Sequence, residues 1–285
     1  MLEISCFFDA HFHLFECLKI ENAFELLGGF PEYCGCSCAH SVEEWQSQEN
    51  ALEILENKNS AGKFAGNSAE KPGKLGKPGK FSEKKSAGKK IQILKSFGLH
   101  PQNPLVENAE FLESLLKNNA LDAVGEAGFD LFTEEFRSNL DRQKKAWHIQ
   151  TELAAKYGKP LVVHCRKGMQ QIFQDAKILS KIPAVLFHSF PGPFEEARSV
   201  LRILPDACFS YGKQILNGNK KVLSCLENLP LKNILLETDA PFQHLKNERF
   251  TSCVEIKRVY ESAFKVRKDL SPEIIENNFL KMFRI

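Results

Sequence analysis

Six side chains are the starting point for any chemistry in this chain: His11, His13, Glu126, His164, His188 and Asp239. The first two form an HxH in "FFDAHFHLF", and residues two apart on a strand point to the same side. His164 ends the apolar run of "LVVHCR" and His188 that of "AVLFHSF"; Asp239 closes "ILLETD", and Glu126 sits in "AVGEAGFD". One such group is commonplace on an edge strand. Six at the ends of different apolar runs form a constellation. Imidazoles and carboxylates together suit Zn²⁺ or Mn²⁺, whereas Mg²⁺ prefers oxygen ligands and retained water. Six donors exceed one tetrahedral site with an open position. They match two divalent ions ~3.5–4 Å apart that share a carboxylate and a water. Glu126, alone on a middle strand, is the expected bridge.

The elements that must position these groups are legible as an alternation. Short runs rich in β-branched and aromatic residues occur at 5–9, 33–38, 93–99, 121–125, 161–165, 184–188, 207–211 and 234–238. Helical spacing fills the gaps. Leu105, Ala109, Leu112 and Leu116 fall on one face of 105–118, and 140–156, 193–204 and 251–264 read the same way. Strands alternating with helices imply a parallel sheet, either doubly wound or closed. The count of eight favours a closed (β/α)8 TIM barrel, and 285 residues accommodate one, since such barrels run to ~250 residues. On that map all six groups fall at the C-terminal strand ends, the face where barrel active sites are built. His40, His148 and His244 are expected at surface or helix positions.

Composition narrows the class. Apolar residues make up 43% of the chain, enough for a sizeable core, and the net charge of +2 implies no partner by itself. Nine cysteines, an odd number without framework spacing, suit a reducing cytosol and a cytoplasmic protein. Cys34, Cys36 and Cys38 alternate, so they share a face; packing under a helix is the expectation, a soft-metal site the alternative. No basic leader precedes the HxH, and no apolar run reaches the ~18–20 residues needed to cross a bilayer. Residues 57–90 differ from the rest. Ten lysines against two glutamates give them a charge of +8, leaving −6 elsewhere, and glycine, serine and proline are frequent. A flexible insertion in one 1–285 barrel is expected there, either a solvated linker or an arm for phosphate backbones.

In order and spacing, "DAHFHL", "GLHPQ", "AVGEAGFD", "RQKKAWHIQTELAAKYGKPLVVHCR", "FHSFPG", "LLETDAPF" and "ENNFLKMF" resemble the TatD family of metal-dependent deoxyribonucleases, within the amidohydrolase-like barrels. The resemblance spans the chain except the lysine-rich insertion and parts of the first helices. It implies a two-metal hydrolase whose ligands are His11, His13, Glu126, His164, His188 and Asp239, with Glu126 where carboxylated lysine stands in many other amidohydrolases. The chain departs from the family pattern at Phe15, Gln102, Ala240 and the "DLF" after "GFD", none of which is an expected ligand.

The implied chemistry is phosphodiester hydrolysis of DNA, single-stranded or at ends, by a water activated between two cations (Zn²⁺, Mn²⁺ or Mg²⁺). His11, His13, Glu126 and Asp239 are expected to hold one ion; Glu126, His164 and His188 the other. Asp239 and Glu126 are the expected catalytic carboxylates, Asp239 accepting the water's proton. Weaker candidates surround them: Arg166 as a phosphate partner, His100 on the rim, Glu237 and Asp130 beside ligands, and Asp9 as a brace for His11. Two other functions use the same sequence: an amidohydrolase acting on a C–N or ester bond, including an aminoacyl-tRNA deacylase, and a non-catalytic nucleic-acid-binding protein. A monomer is expected, because a closed barrel leaves no free strand edge.

Overall fold

The apolar runs form eight strands: β1 (Phe7–Phe12), β2 (Tyr33–Ala39), β3 (Ile91–Phe97), β4 (Ala123–Asp130), β5 (Leu161–Arg166), β6 (Val185–Phe187), β7 (Cys208–Tyr211) and β8 (Ile234–Leu236). The structure is a computed structural model that describes residues 4–64 and 91–285, for 58–64 the backbone alone. Each strand pairs in parallel with the next, in the order β1 to β8. Helices occupy every crossover, as parallel pairing demands. α1 (Leu14–Leu18) and α2 (Ala23–Leu27) follow β1, α3 (Val42–Phe64) follows β2, and α4 (Ala109–Lys117) follows β3. α5 (Glu134–Ser138) and α6 (Leu140–Tyr157) follow β4; α7 (Met169–Gln174) and α8 (Ala176–Leu179) follow β5. α9 (Phe194–Ile203) and α10 (Lys220–Asn228) follow β6 and β7, and α11 (Ile256–Val266) and α12 (Pro272–Phe283) end the chain. The result is a nearly closed eight-stranded parallel barrel, the expected TIM-barrel class.

Closure is made by the chain just beyond β8. Asp239 N donates to His11 O at 2.9 Å, and His13 N donates to Ala240 O at 2.8 Å. Buried Asp9 ties the same seam: Oδ1 accepts from Thr238 N at 2.9 Å, and Oδ2 accepts from the Thr238 hydroxyl at 2.6 Å and from Tyr33 OH at 3.2 Å. The outer helices are clamped as firmly. Tyr260 of α11 bonds both the N and the O of Phe8, at 3.0 Å each. From α6, the Gln150 amide bonds Leu99 N and O, and the Gln143 amide bonds Asp130 N and O. These amides fix the backbone at the tips of β3 and β4. Local signals agree: the Ser271 hydroxyl caps α12 ahead of Pro272, and α6 ends at Gly158 with φ of +63°.

Three expectations shift. β4 reaches Asp130, five residues beyond its expected end, so Glu126 lies within a strand and not after one. The run 251–264 opens with a 3-10 turn, Cys253–Glu255, before α11. α3 continues to Phe64, so the first part of the lysine-rich stretch is helical, as an extension of a helix already nucleated upstream. Residues 65–90, where the rest of that insertion was expected, lie outside the described residues. Among the described residues no helix is long and apolar enough to cross a membrane.

Candidate active site

At the C-terminal mouth the strand tips bring the six candidates together around one buried carboxylate. His11 lies within β1 and His13 just past it, before the first turn of α1; Glu126 is on β4, His164 on β5, His188 immediately after β6, and Asp239 three residues past β8. Glu126 Oε1 is 3.3 Å from His11 Nε2 and 3.4 Å from His13 Nε2. Those two nitrogens are 3.2 Å apart, and Asp239 Oδ1 stands 3.6 and 3.5 Å from them. Donors bonded at ~2.0–2.1 Å to one tetrahedral ion would be separated by ~3.3 Å, so the two imidazoles are spaced for a shared cation with the carboxylates beside them. The other carboxylate oxygen faces the second set. Glu126 Oε2 is 2.6 Å from His188 Nε2 and 3.4 Å from His164 Nδ1, and those nitrogens are 3.2 Å apart. The donor chemistry and spacing therefore fit a divalent cation beside Glu126.

The surroundings orient the donors. His164 Nε2 meets Asp130 Oδ2 at 3.1 Å, leaving Nδ1 directed at Glu126, and Gln102 Nε2 donates to the same Oδ2 at 2.8 Å. His11 Nδ1 faces Cys38 Sγ at 3.2 Å; that thiol lies 2.7 Å from Ser96 Oγ, which donates to Gly125 O at 2.9 Å. Cys38 therefore points into the barrel, contrary to the expectation that the alternating thiols pack under a helix. It is Ser37 that meets α3, through Gln48. Gly98 packs on the backbone of Gly125 and Glu126 so closely that a side chain there would overlap it.

Burial and neighbouring charge set the protonation states. Burial alone would raise Glu126, yet the imidazoles of His188, His11 and His100 hold its carboxyl well below the usual range. Asp239 is likewise kept low against burial, by His13, His11 and His188. Burial lowers His11 to about 4. His164 goes the other way, to about 9, because Asp130 and Glu126 outweigh its burial. Glu237 is pushed up to about 8 by burial.

The weaker candidates separate. Asp130 touches His164, as just described. His100 Nε2 lies 3.5 Å from Glu126 Oε2, in the wall of the cavity. Arg166 also lines the cavity and lies flat on the Phe132 ring at 3.7 Å. Asp9 accepts from the backbone N of His11 at 3.3 Å, so it braces the main chain and not the imidazole. Glu237 accepts from the Ser210 hydroxyl at 2.5 Å, and its Oε1 has no hydrogen-bond partner among the described residues. His40 is the residue that sequence reasoning assigned to the surface in error: its Nε2 is 3.0 Å from Glu126 Oε1. It stands one residue past β2, so the strand-end rule that selected the other histidines would have found it. His148 and His244 lie elsewhere and are exposed.

The mouth encloses a cavity of about 570 Å³ bordered by His13, Glu126, His188, Asp239 and Phe242 among others, a size usual for small-ligand sites. A parallel barrel presenting a histidine–carboxylate cluster of this kind at its C-terminal mouth belongs to the metal-dependent hydrolases. The TatD related DNase family model matches residues 8–284, and the chain belongs to that family. It is 31% identical over 210 residues to a 3'-5' ssDNA/RNA exonuclease TatD of Edwardsiella piscicida, covering 66% of this chain and 76% of that protein. A metal-dependent hydrolase of Methanocaldococcus jannaschii is 29% identical, over 69% of this chain and 78% of its own length. In fold, a TatD homolog of Escherichia coli K12 superposes with a TM-score of 0.72 at 19% identity, over 99% of this chain and all of that one. A TatD family hydrolase of Entamoeba histolytica gives the same TM-score at 16% identity, over 99% of both chains.

Proposed function

We propose that residues 1–285 act as one phosphodiesterase barrel that hydrolyses single-stranded nucleic acid from an end with two divalent cations. The observation that carries this reading is the divided carboxylate of Glu126, with Oε1 facing His11 and His13, and Oε2 facing His164 and His188. Bound there, the cations would neutralise the phosphate and lower the pKa of a water to ~7. His11, His13, Glu126 and Asp239 hold one, and Glu126, His164 and His188 the other. Zn²⁺ and Mn²⁺ suit the nitrogen-rich donors best.

The chain's own residues do the rest. Asp239 is kept ionised and partly open to the cavity, with Oδ2 accepting from the Ser189 hydroxyl at 3.3 Å, so it can take the proton of the attacking water. Arg166, pre-oriented on Phe132, offers a guanidinium to the phosphate. Lys167 Nζ lies over the same ring, 4.7 Å from its centre. The Arg166 guanidinium in the cavity wall supports an anionic substrate over a small uncharged amide or ester. The named activity of the Edwardsiella relative supports the same choice.

The test uses the purified chain with Mn²⁺ or Zn²⁺ on oligonucleotides labelled at either end, and on small amides and esters. Progressive shortening of single strands that chelator stops is the expected result. Chelator-sensitive hydrolysis of amides with intact oligonucleotides would overturn the proposal.

A further inference from the structure

Phe242 is an exposed aromatic side chain in the wall of the active-site cavity, and the function proposed above leaves it without a task. Its side chain is 56% exposed, so most of the favourable burial of a phenylalanine is forgone. Single exposed apolar residues are ordinary on a surface. Three observations distinguish this one. It lines the cavity together with His13, Glu126 and Asp239. Its ring makes a T-shaped contact with that of His13, with centroids 4.8 Å apart and planes at 72°, so it is seated against the donor cluster while more than half of the residue stays open. Its backbone is pinned: Phe242 N donates to Asp239 O at 2.8 Å, His244 N donates to Phe242 O at 2.9 Å, and Thr251 N donates to Pro241 O at 2.9 Å. The ring is therefore held out beside the cluster by an ordered loop. The next residue, Gln243, lines the same cavity and has an amide oxygen with no hydrogen-bond partner among the described residues.

We propose that Phe242 is a stacking platform for a nucleobase next to the phosphate being cleaved. This rests on the phosphodiesterase reading and specifies how that site engages a single strand. A flat apolar face beside a cation-binding cluster matches a substrate that alternates anionic groups with planar rings. Stacking accepts any base, because every base has a π-face, and it requires a base released from a duplex partner. Phe242 thus favours unpaired strands without selecting sequence. Arg166, in the wall of the same cavity and packed over the Phe132 ring, is available for the phosphate.

The experiment is a cycle between protein and substrate. Wild type, Phe242→Ala and Phe242→Tyr are assayed on short single strands, intact or with one abasic tetrahydrofuran unit placed in turn at each of the last two positions of either end. In the wild type, removing the critical base should lower kcat/KM by about 5- to 150-fold, the range for one base–aromatic stack. Phe242→Ala should lower kcat/KM on the intact strand and bring the intact-to-abasic ratio close to one, while Phe242→Tyr should keep the wild-type ratio. The ratio cancels any effect of the substitution on His13 or metal loading. In chelator, a strand carrying 2-aminopurine at the critical position should be quenched by wild type and by the tyrosine variant, and not by the alanine variant. An unchanged ratio in Phe242→Ala, or equal quenching by all three proteins, overturns the platform while leaving the phosphodiesterase reading intact. Absence of chelator-sensitive cleavage of every strand by wild type overturns both.

Discussion

Replacing Cys38 tests whether the donor cluster is held by its neighbours or merely surrounded by them. The Cys38 thiol is buried and kept protonated, its pKa raised well above the ordinary value by desolvation. It sits against His11 Nδ1, on the side of the ring away from the cluster, so it is placed to orient the imidazole and not to bind metal. A ring that presents Nε2 to a cation carries its proton on Nδ1 and must donate it; the thiol accepts at 3.2 Å and passes its own proton toward Ser96 at 2.7 Å. Cys38→Ala leaves a fully buried N–H without an acceptor, which costs about 1–3 kcal/mol. At roughly 2–4 °C per kcal/mol for a chain of this size class, the melting temperature in chelator should fall by about 2–12 °C. Metal affinity should fall about 10- to 100-fold, the usual effect of losing a residue that orients a ligand. Cys38→Ser keeps an acceptor and should lie close to wild type in both measurements. Competition against a chromophoric zinc chelator reads the affinity, and scanning fluorimetry reads the stability. Wild-type affinity in Cys38→Ala would refute the orienting role, and a serine variant as weak as alanine would show that volume and not hydrogen bonding matters.

Further outcomes follow from the same geometry. Asp239→Asn should retain a metal-loaded fold and lose about 10²- to 10⁴-fold in kcat, the usual contribution of a general base; near-wild-type turnover at measured full loading contradicts the role. Metal binding at the second donor set requires neutral His164, whose metal-free pKa is about 9, so affinity should rise with pH, by up to tenfold per unit, and level off above about 9. A pH-independent binding constant across that range would contradict the Asp130–His164 pairing. Gly98→Ala should destabilise the fold by about 1–3 kcal/mol in denaturant titration, because the new methyl meets the backbone of Gly125 and Glu126; an unchanged midpoint would show that this packing is loose.

The barrel was legible in the sequence because each strand is a short apolar run and each crossover a periodic helix, and the clustered donors were legible because they lie where those runs end. Glu126 shows where that reasoning stops. Its strand continues through "AGFD" with alanine and glycine, residues that carry little strand signal, and extends because β5 pairs alongside from Ala127 to Asp130. His40 was missed for a related reason: it follows a run of cysteines, serine and glycine that reads as small-residue packing, although the run is β2 and the histidine its tip. Asp9 was expected to brace His11 and does so through the backbone N, but its other contacts were not foreseen. Its partners Thr238 and Tyr33 come from distant parts of the chain, and only barrel closure brings them to it. The orienting contact of Cys38 depends in the same way on β1, β2 and β3 being neighbours, which no local pattern encodes.

The central claim is that Glu126 joins two cation sites, one through each carboxylate oxygen. Equilibrium metal analysis of the purified chain and of Glu126→Gln tests it most directly, with His188→Ala as the control for one site. The account predicts two cations per wild-type chain, one in His188→Ala, and loss of tight binding at both positions in Glu126→Gln. One cation in wild type, or two retained in Glu126→Gln, would contradict it.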